Sequence, residues 1–238
     1  MELSSRLAAI ANLIPPGARV ADIGTDHAML PVNLVKTGRS PRVIATEMNE
    51  KPYRTACRQA MSVEAGGRVE VRKGDGLEAI RPGEVDVIVI AGMGANNILG
   101  ILNRSRGVLA GISRLVLQPM SNPGALRRWL AQNGWRLADE ELVKEDGKFY
   151  VIIAAEPGED HWQDQFLLEI GPKLVDKCSP VLIEYLEKIK GDYQRVLNGL
   201  AGSRSEQAME KAIEITSRLN RLREVICRCR QGAGHSLK

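Results

Sequence analysis

The run Asp22-Ile23-Gly24-Thr25-Asp26-His27 places two carboxylates four positions apart around a glycine. A phosphate-binding fingerprint would carry a second glycine where Asp26 stands and a third close behind, so that a pyrophosphate could approach a helix N-terminus. Two carboxylates beside that phosphate, at roughly 4–6 Å, would repel it appreciably. The run therefore suits a cation better than a dinucleotide. S-adenosylmethionine meets the requirement, because it has no phosphate and carries an ammonium and a sulfonium beside a single carboxylate; NAD and ATP do not. Asp26 could also cap the helix that follows, for about 1 kcal/mol, and the two roles are compatible.

Other candidates recur at intervals. Thr46-Glu47-Met48 puts an acid about twenty-five residues after Asp22, the place from which a side chain can accept both hydroxyls of a ribose. Gly74-Asp75-Gly76 reads as a tight turn whose carboxylate could accept from an adenine amino group. Ile90-Ala91-Gly92-Met93-Gly94 offers small residues for close backbone approach, with Met93 either against a ligand or in the core. Leu117-Gln118-Pro119-Met120 offers the Gln118 amide to a base or ribose, or simply ends a strand. The donor site read from the sequence thus comprises Asp22, Gly24, Glu47, Asp75, Gly76, Gly92 and Met93, with their neighbours Thr25, His27 and Met48. Gln118 falls on the acceptor side.

These groups share one place only if strands bring them there. β-Branched runs near Arg19–Gly24, Arg42–Glu47, Arg68–Lys73, Val85–Ala91 and Arg114–Gln118 alternate with helical patterns. That alternation predicts a doubly wound parallel sheet, whose ligands bind beyond the carboxyl ends of the strands. Trp135–Val143 and Lys148–Ala155 flank Glu145-Asp146-Gly147, a turn signal for a hairpin. The expectation is an α/β, Rossmann-like methyltransferase sheet of seven strands with an antiparallel last strand, over residues 1–157.

Glu156-Pro157-Gly158-Glu159-Asp160 interrupts that pattern, and residues 158–238 read as a helical domain. Leu182, Leu186, Ile189, Tyr193, Val196 and Leu200 repeat at four and three, as do Ala208, Ala212, Ile215, Leu219, Leu222, Ile226 and Cys229. Ser179-Pro180 starts the first seam, and Ser203 with Glu206 forms a capping box before the second. A short connection at 201–205 makes the pair an antiparallel coiled-coil hairpin, expected to bury its own seam and leave a monomer. Arg218, Arg221, Arg223, Arg228 and Arg230 give its last stretch a basic face, either merely solvated or an arm for an anionic partner.

Composition sets bounds. The 238 residues are 44% hydrophobic and 26% charged with formal charge +4, which excludes a disordered chain and is compatible with an anionic partner. No run of roughly 18 apolar residues predicts a membrane span, and no basic-then-apolar leader opens the chain, so a cytoplasmic protein is expected. Cys57, Cys178, Cys227 and Cys229 are too few and scattered for a disulfide framework or a zinc site, so no metal is expected.

The run Val20-Ala21-Asp22-Ile23-Gly24-Thr25-Asp26-His27-Ala28, with Lys73-Gly74-Asp75-Gly76-Leu77, Gly92-Met93-Gly94 and Leu117-Gln118-Pro119, resembles the bacterial tRNA (adenine-N1)-methyltransferases acting on position 22, the TrmK family. Trp129-Leu130 with Asn133 and Gly134 continues the resemblance, and the helical hairpin resembles the coiled-coil domain of that family. The resemblance implies S-adenosylmethionine as donor and a D-arm adenine of tRNA as target. It also implies that Asp22, Gly24, Glu47, Asp75, Gly76, Gly92 and Met93 line the donor site. Departures are Met120 where many relatives carry asparagine, Ala95 where a third loop glycine is common, and Glu47 where aspartate is usual.

Adenine N1 already presents an in-plane lone pair, so positioning should dominate its methylation and a carboxylate facing it would stabilise the cationic product. Asp26 is the expected catalytic group, with His27 able to orient the donor or stack on the base. A base inside a tRNA helix must leave its stack, and Arg221 and Arg223, with Arg104, Arg106, Arg127 and Arg128, are candidates for the phosphate contacts that offset this. A small-molecule methyltransferase would need the same donor loops without the basic arm. A non-catalytic RNA-binding adaptor would need the arm without the loops.

Overall fold

A computed structural model describes residues 2–61, 66–160, 162, 164–202 and 205–233. The chain divides into two units, residues 1–163 and 164–238. The division lies just beyond the Pro157-Gly158 break because the Asp160 carboxylate still accepts from the Leu137 backbone N–H of the first unit.

The first unit contains α1 (Ser5–Asn12), β1 (Val20–Ile23), α2 (Met29–Lys36), β2 (Val43–Glu47), α3 (Glu50–Ala60), β3 (Val69–Lys73), β4 (Val87–Met93), α4 (Ala95–Arg104), α5 (Arg106–Leu109), β5 (Arg114–Pro119), α6 (Pro123–Gln132), β6 (Trp135–Glu145) and β7 (Lys148–Pro157). The sheet order is β3-β2-β1-β4-β5-β7-β6. β1 to β5 run parallel, and β7 lies antiparallel to both β5 and β6.

Local sequence explains these roles. β1 and β2, VADI and VIATE, are buried at every position, as strands covered by helices on both faces must be. β3 sits at the edge and reads VEVRK, with only Val69 buried, a charged strand that discourages pairing with another chain. Asp146 and Gly147 both have positive φ, 49° and 73°, the pair that a tight primed turn between β6 and β7 requires. Ser4 caps α1 by accepting from the Leu7 N–H, and Ile10 and Ala11 of that helix enter the core.

One expectation is corrected here. Arg127, offered above as a phosphate contact, is wholly buried on α6, and its Nε donates to Glu140 Oε1 of β6 at 2.6 Å. Its spacing on α6 places it on the face turned to the sheet, where the positive charge needs a buried partner.

The second unit contains α7 (Gln165–Ile170), α8 (Pro172–Lys177), α9 (Pro180–Leu200) and α10 (Glu206–Ala233). Ser179 caps α9 as expected, its hydroxyl accepting from Leu182 N–H at 3.2 Å. Ser203 lies outside the described residues; the hydroxyl at the start of α10 is that of Ser205, which accepts from Ala208 N–H at 3.3 Å. The antiparallel register is fixed by Arg230–Glu187 at 3.0 Å and by Arg218 Nη1 donating to the Tyr193 hydroxyl at 3.3 Å. Leu182, Leu186, Ile215, Leu219, Leu222, Ile226 and Cys229 are buried, whereas Val196 near the helix connection is 47% exposed. Phe166, Leu168, Ile170, Leu174 and Val175 of the short α7 and α8 are buried as well, so the unit is more than a pair of helices. Contrary to the expectation from cysteine spacing, Cys178 and Cys229 form a disulfide across 51 residues of sequence. Only the return of α10 along α9 brings them together.

Among the described residues no helix is long and apolar enough to cross a membrane, and no group of three or more His, Cys, Asp or Glu could hold a metal.

The buried pair gives a stability prediction. Arg127→Ala strands the Glu140 carboxylate and should cost about 3–5 kcal/mol, whereas Arg127→Met combined with Glu140→Leu should recover most of that loss in denaturant titrations.

Candidate active site

β1 has β2 on one side and β4 on the other, so helices leave its neighbourhood on opposite faces and a crevice opens at the carboxyl ends. The chain leaving β1 is held out over β2, Gly24 and Thr25 donating their N–H groups to Thr46 O at 2.8 and 3.0 Å. Two adjoining cavities result, sharing Gly24, Ala91 and Gly92. One, of about 540 Å³, is lined by Glu47, Met48, Asp75, Gly76 and Met93. The other, of about 330 Å³, is lined by Asp22, Thr25, Asp26, His27 and, from α1, Arg6. Every residue read from the sequence as part of the donor site therefore lies at one crevice.

Asp22 is 6% exposed and accepts from the Thr25 hydroxyl at 2.6 Å. Burial lifts its carboxyl to about 6, the Thr25 hydrogen bond pulling the other way. No lysine or arginine among the described residues pairs with it, so the ionised form lacks the cation that its burial calls for.

Asp26 is different. Its side chain is 64% exposed, with Oδ2 3.4 Å from His27 Nε2. It does not cap α2. The residue at the cap position is Ala28, and no side chain bonds there. Asp26 and Ala28 both have left-handed backbones, φ 49° and 51°, an uncommon state for alanine that binds the loop to one shape.

Glu47 is 7% exposed, and its Oε1 accepts from Asn49 N–H at 2.7 Å and Asn49 Nδ2 at 3.2 Å. Oε2 has no partner among the described residues. Asp75 is paired with Arg104 Nη2 at 3.0 Å, so Arg104 belongs to this cavity and not to an outer phosphate track. Gly24, with φ 73°, passes so close to the Met93 methyl that a Cβ there would stand 2.3 Å from it. Met93 thus lies over the first loop.

Gln118 needs correction. It is fully buried and its amide is spent within the protein: Oε1 accepts from Arg6 Nη1 at 2.7 Å and Gly92 N–H at 3.2 Å, and Nε2 donates to Pro119 O at 3.0 Å. Its closeness to the crevice was legible, but a wholly buried amide cannot present itself to a base. Arg221 is likewise engaged, ion-paired with Asp164 and stacked 4.3 Å from the Phe166 ring centroid. Arg218 pairs with Glu169 and Glu214, and Arg230 with Glu187. Arg223 is exposed and, among the described residues, donates to the Asn220 carboxamide at 3.2 Å. Arg106 lines a separate cavity with Trp129 and Trp135. The residue missed altogether is Arg6, whose only sequence signal is the Ser4 cap placing a helix ahead of the first strand.

A mixed sheet with an antiparallel seventh strand, a buried acid closing β1 and another closing β2 define a Rossmann-like methyltransferase. Residues 20–224 match the family TrmK, described as tRNA (adenine(22)-N(1))-methyltransferase. The chain is 36% identical over 235 residues to the Bacillus subtilis tRNA (adenine(22)-N(1))-methyltransferase, covering 95% of this chain and 98% of that one. A crystal structure of the B. subtilis m1A22 tRNA methyltransferase TrmK superposes with TM-score 0.87 at 35% identity, covering 94% and 99% of the two chains. A Streptococcus pneumoniae putative tRNA (m1A22) methyltransferase, in complex with S-adenosyl-L-methionine, superposes with TM-score 0.85 at 32% identity, covering 94% and 100%. The chain belongs to the TrmK family.

The burial of Asp22 sets a sign for stability. The unfolded carboxyl ionises near 3.8 and the folded one near 6, so between those values the native state holds the extra proton and stability falls as pH rises. Asp22→Asn should therefore raise the donor-free unfolding free energy at pH 7 by the order of 2 kcal/mol while abolishing donor binding, and the stability gain should vanish near pH 4. Denaturant titrations at both pH values, with calorimetric donor titration, check this.

Proposed function

We propose that the protein transfers the methyl group of S-adenosylmethionine to N1 of adenine 22 in tRNA, with Asp26 as the catalytic carboxylate. The observation that carries the residue assignment is the contrast across one glycine floor: a buried Asp22 with no cationic partner among the described residues beside an exposed Asp26 in the same cavity. The first suits a fixed cation, and the second can meet a charge that appears during reaction.

When bound, the donor supplies a methyl group activated by the sulfonium. Glu47, whose Oε2 is not engaged among the described residues, would accept from the donor's ribose, and Asp75, steadied by Arg104, would accept from its adenine amino group. Gly24 and Gly92, both with positive φ, keep the floor free of side chains, and Thr25, Met48, Gly76 and Met93 complete the walls. Asp26 needs no proton from N1, whose lone pair is available. Its charge offsets the positive charge that methylation leaves on the ring. His27 restricts the directions open to that carboxylate.

The tRNA partner needs basic contacts to offset the cost of unstacking the base. On the observed surfaces Arg223 and Arg228 of the second unit, and Arg106 of the first, suit that task better than the ion-paired Arg218, Arg221 and Arg230. A substrate drawn from the tRNA pool fits a cytoplasmic protein, and a helical unit that buries its own seam fits a monomer.

Purified protein incubated with unmodified tRNA and isotopically labelled donor should yield labelled 1-methyladenosine at position 22, read by nucleoside mass spectrometry and position mapping. Donor binding without transfer to any tRNA would overturn the reading. Asp26→Asn should lower single-turnover rates by the order of 10²-fold and leave donor affinity nearly unchanged. Equal losses in both would move Asp26 to the donor site.

A further inference from the structure

Trp129, Asn133 and Gly134 have no part in the crevice. They line, with Trp135, Leu109, Pro157 and Arg106, a cavity of about 290 Å³ in the first unit. This cavity lies at the other end of the sheet. Leu115 pairs with Ala155 and Trp135 with Pro157, so Trp135 and Pro157 stand off the amino end of β5, whereas the crevice opens at the carboxyl ends. The six residues of β5 put about 20 Å between those ends. A nucleotide whose base enters the crevice cannot also reach this cavity.

The polar groups here divide into those already engaged and those open to a ligand. Trp129 Nε1 donates to Asn103 Oδ1 at 2.9 Å, and Asn133 Nδ2 donates to Trp129 O at 2.8 Å, so the indole is fixed by its edge at the cavity wall. Among the described residues Asn133 Oδ1 accepts no hydrogen bond and the exposed Arg106 has no ion pair. The nearby acid Glu156 is taken by Arg114 and Arg136, and no carboxylate is among the described lining residues. A fixed aromatic ring, an open acceptor and an uncommitted cation suit a flat heteroaromatic ring that carries an anion. That is the chemistry of a nucleotide.

Magnitudes decide between a free nucleotide and one in a chain. One stacked base with one exposed phosphate contact amounts to roughly millimolar affinity. The cavity is also no larger than the low end of the roughly 300–1,000 Å³ range of sites that enclose a whole small ligand. Such a contact fills well only when its nucleotide belongs to a chain already held elsewhere, which raises the effective concentration.

We propose that Trp129, Arg106 and Asn133 bind one unpaired nucleotide of the RNA substrate, distinct from the nucleotide that is methylated. The base stacks on the Trp129 indole and donates an N–H to Asn133 Oδ1, and the phosphate meets Arg106. The proposal rests on the reading of tRNA as the substrate.

The test has two arms. In the first, the full-length protein with its crevice filled by S-adenosylhomocysteine is titrated with UMP and with uridine, following the indole N–H resonances of its three tryptophans. UMP should move the Trp129 resonance with a Kd of about 1 mM, and uridine should bind roughly 3- to 10-fold more weakly. Arg106→Gln should bring UMP to the level of uridine. In the second arm, Arg106→Gln and Ala110→Glu, both at exposed positions of the cavity, should raise KM for tRNA roughly 3- to 10-fold. Arg58→Gln, the same change of charge at an exposed position on α3, should leave that KM unchanged. No shift of Trp129 with UMP, equal wild-type affinity for UMP and uridine, or equal rises of KM in Arg106→Gln and Arg58→Gln would overturn the proposal. So would UMP binding with an unchanged KM for tRNA in Arg106→Gln, which assigns the cavity to free nucleotides. A wild type that responds to UMP yet methylates no tRNA would instead overturn the tRNA reading.

Discussion

A carboxylate held out of water at the end of β1, with one hydroxyl as its partner, is the constraint on which the crevice depends. An ionised Asp22 in that place lowers the stability of the empty protein, and a cationic ligand relieves it. The surrounding backbone is arranged so that such a ligand can come close. Gly24 turns over the ends of β1 and β2, Gly92 breaks the regular register between β4 and β5, and neither puts a side chain in the way. The left-handed Ala28 belongs to the same arrangement, since it is the buried residue at which the loop turns into α2.

The rest of the first unit supports that loop. β4 reaches the crevice beside β1 because β2 and β3 have turned away to the other edge, and β5 follows with the amide that joins Gly92 to Arg6. The β6–β7 hairpin contributes too: Glu145 at its turn and Tyr150 on its return strand hold α1 at the rim. The antiparallel seventh strand is thus tied to the site through an arginine that comes from the opposite end of the unit's sequence.

The strands were legible almost residue by residue, since fully buried parallel strands are written as runs of valine and isoleucine between glycines. The donor-site acids were legible for a related reason: Glu47 ends β2, Asp22 stands one residue before the end of β1, and Asp75 follows two residues after β3. What escaped was fixed by tertiary partners. Arg127 and Arg221 look in sequence like any surface arginine, and only the neighbouring Glu140 and Asp164 show that their charges are already met. Gln118 was read as facing a ligand because the strand ends there, but its side chain turns inward. Cys178 and Cys229 are joined by the return of one long helix along another, a register that heptad spacing suggests without specifying which residues touch. Arg6 sits in a helix too short to carry a strong periodic signal.

The sheet order also bears on how the protein comes to be. The crevice lies between β1 and β4, and two strands with their helices are synthesised between them, so its floor closes only after a long stretch of chain has been gathered in. Pairings of that separation are slow to form because loop-closure entropy is lost before the contacts that reward it exist. A nascent chain that has made β1, β2 and β3 carries both acids of the first loop but has no Gly92 opposite them. Competence to bind a ligand therefore arrives late in folding, together with the completed sheet, and partly folded chains cannot sequester the ligand from finished ones.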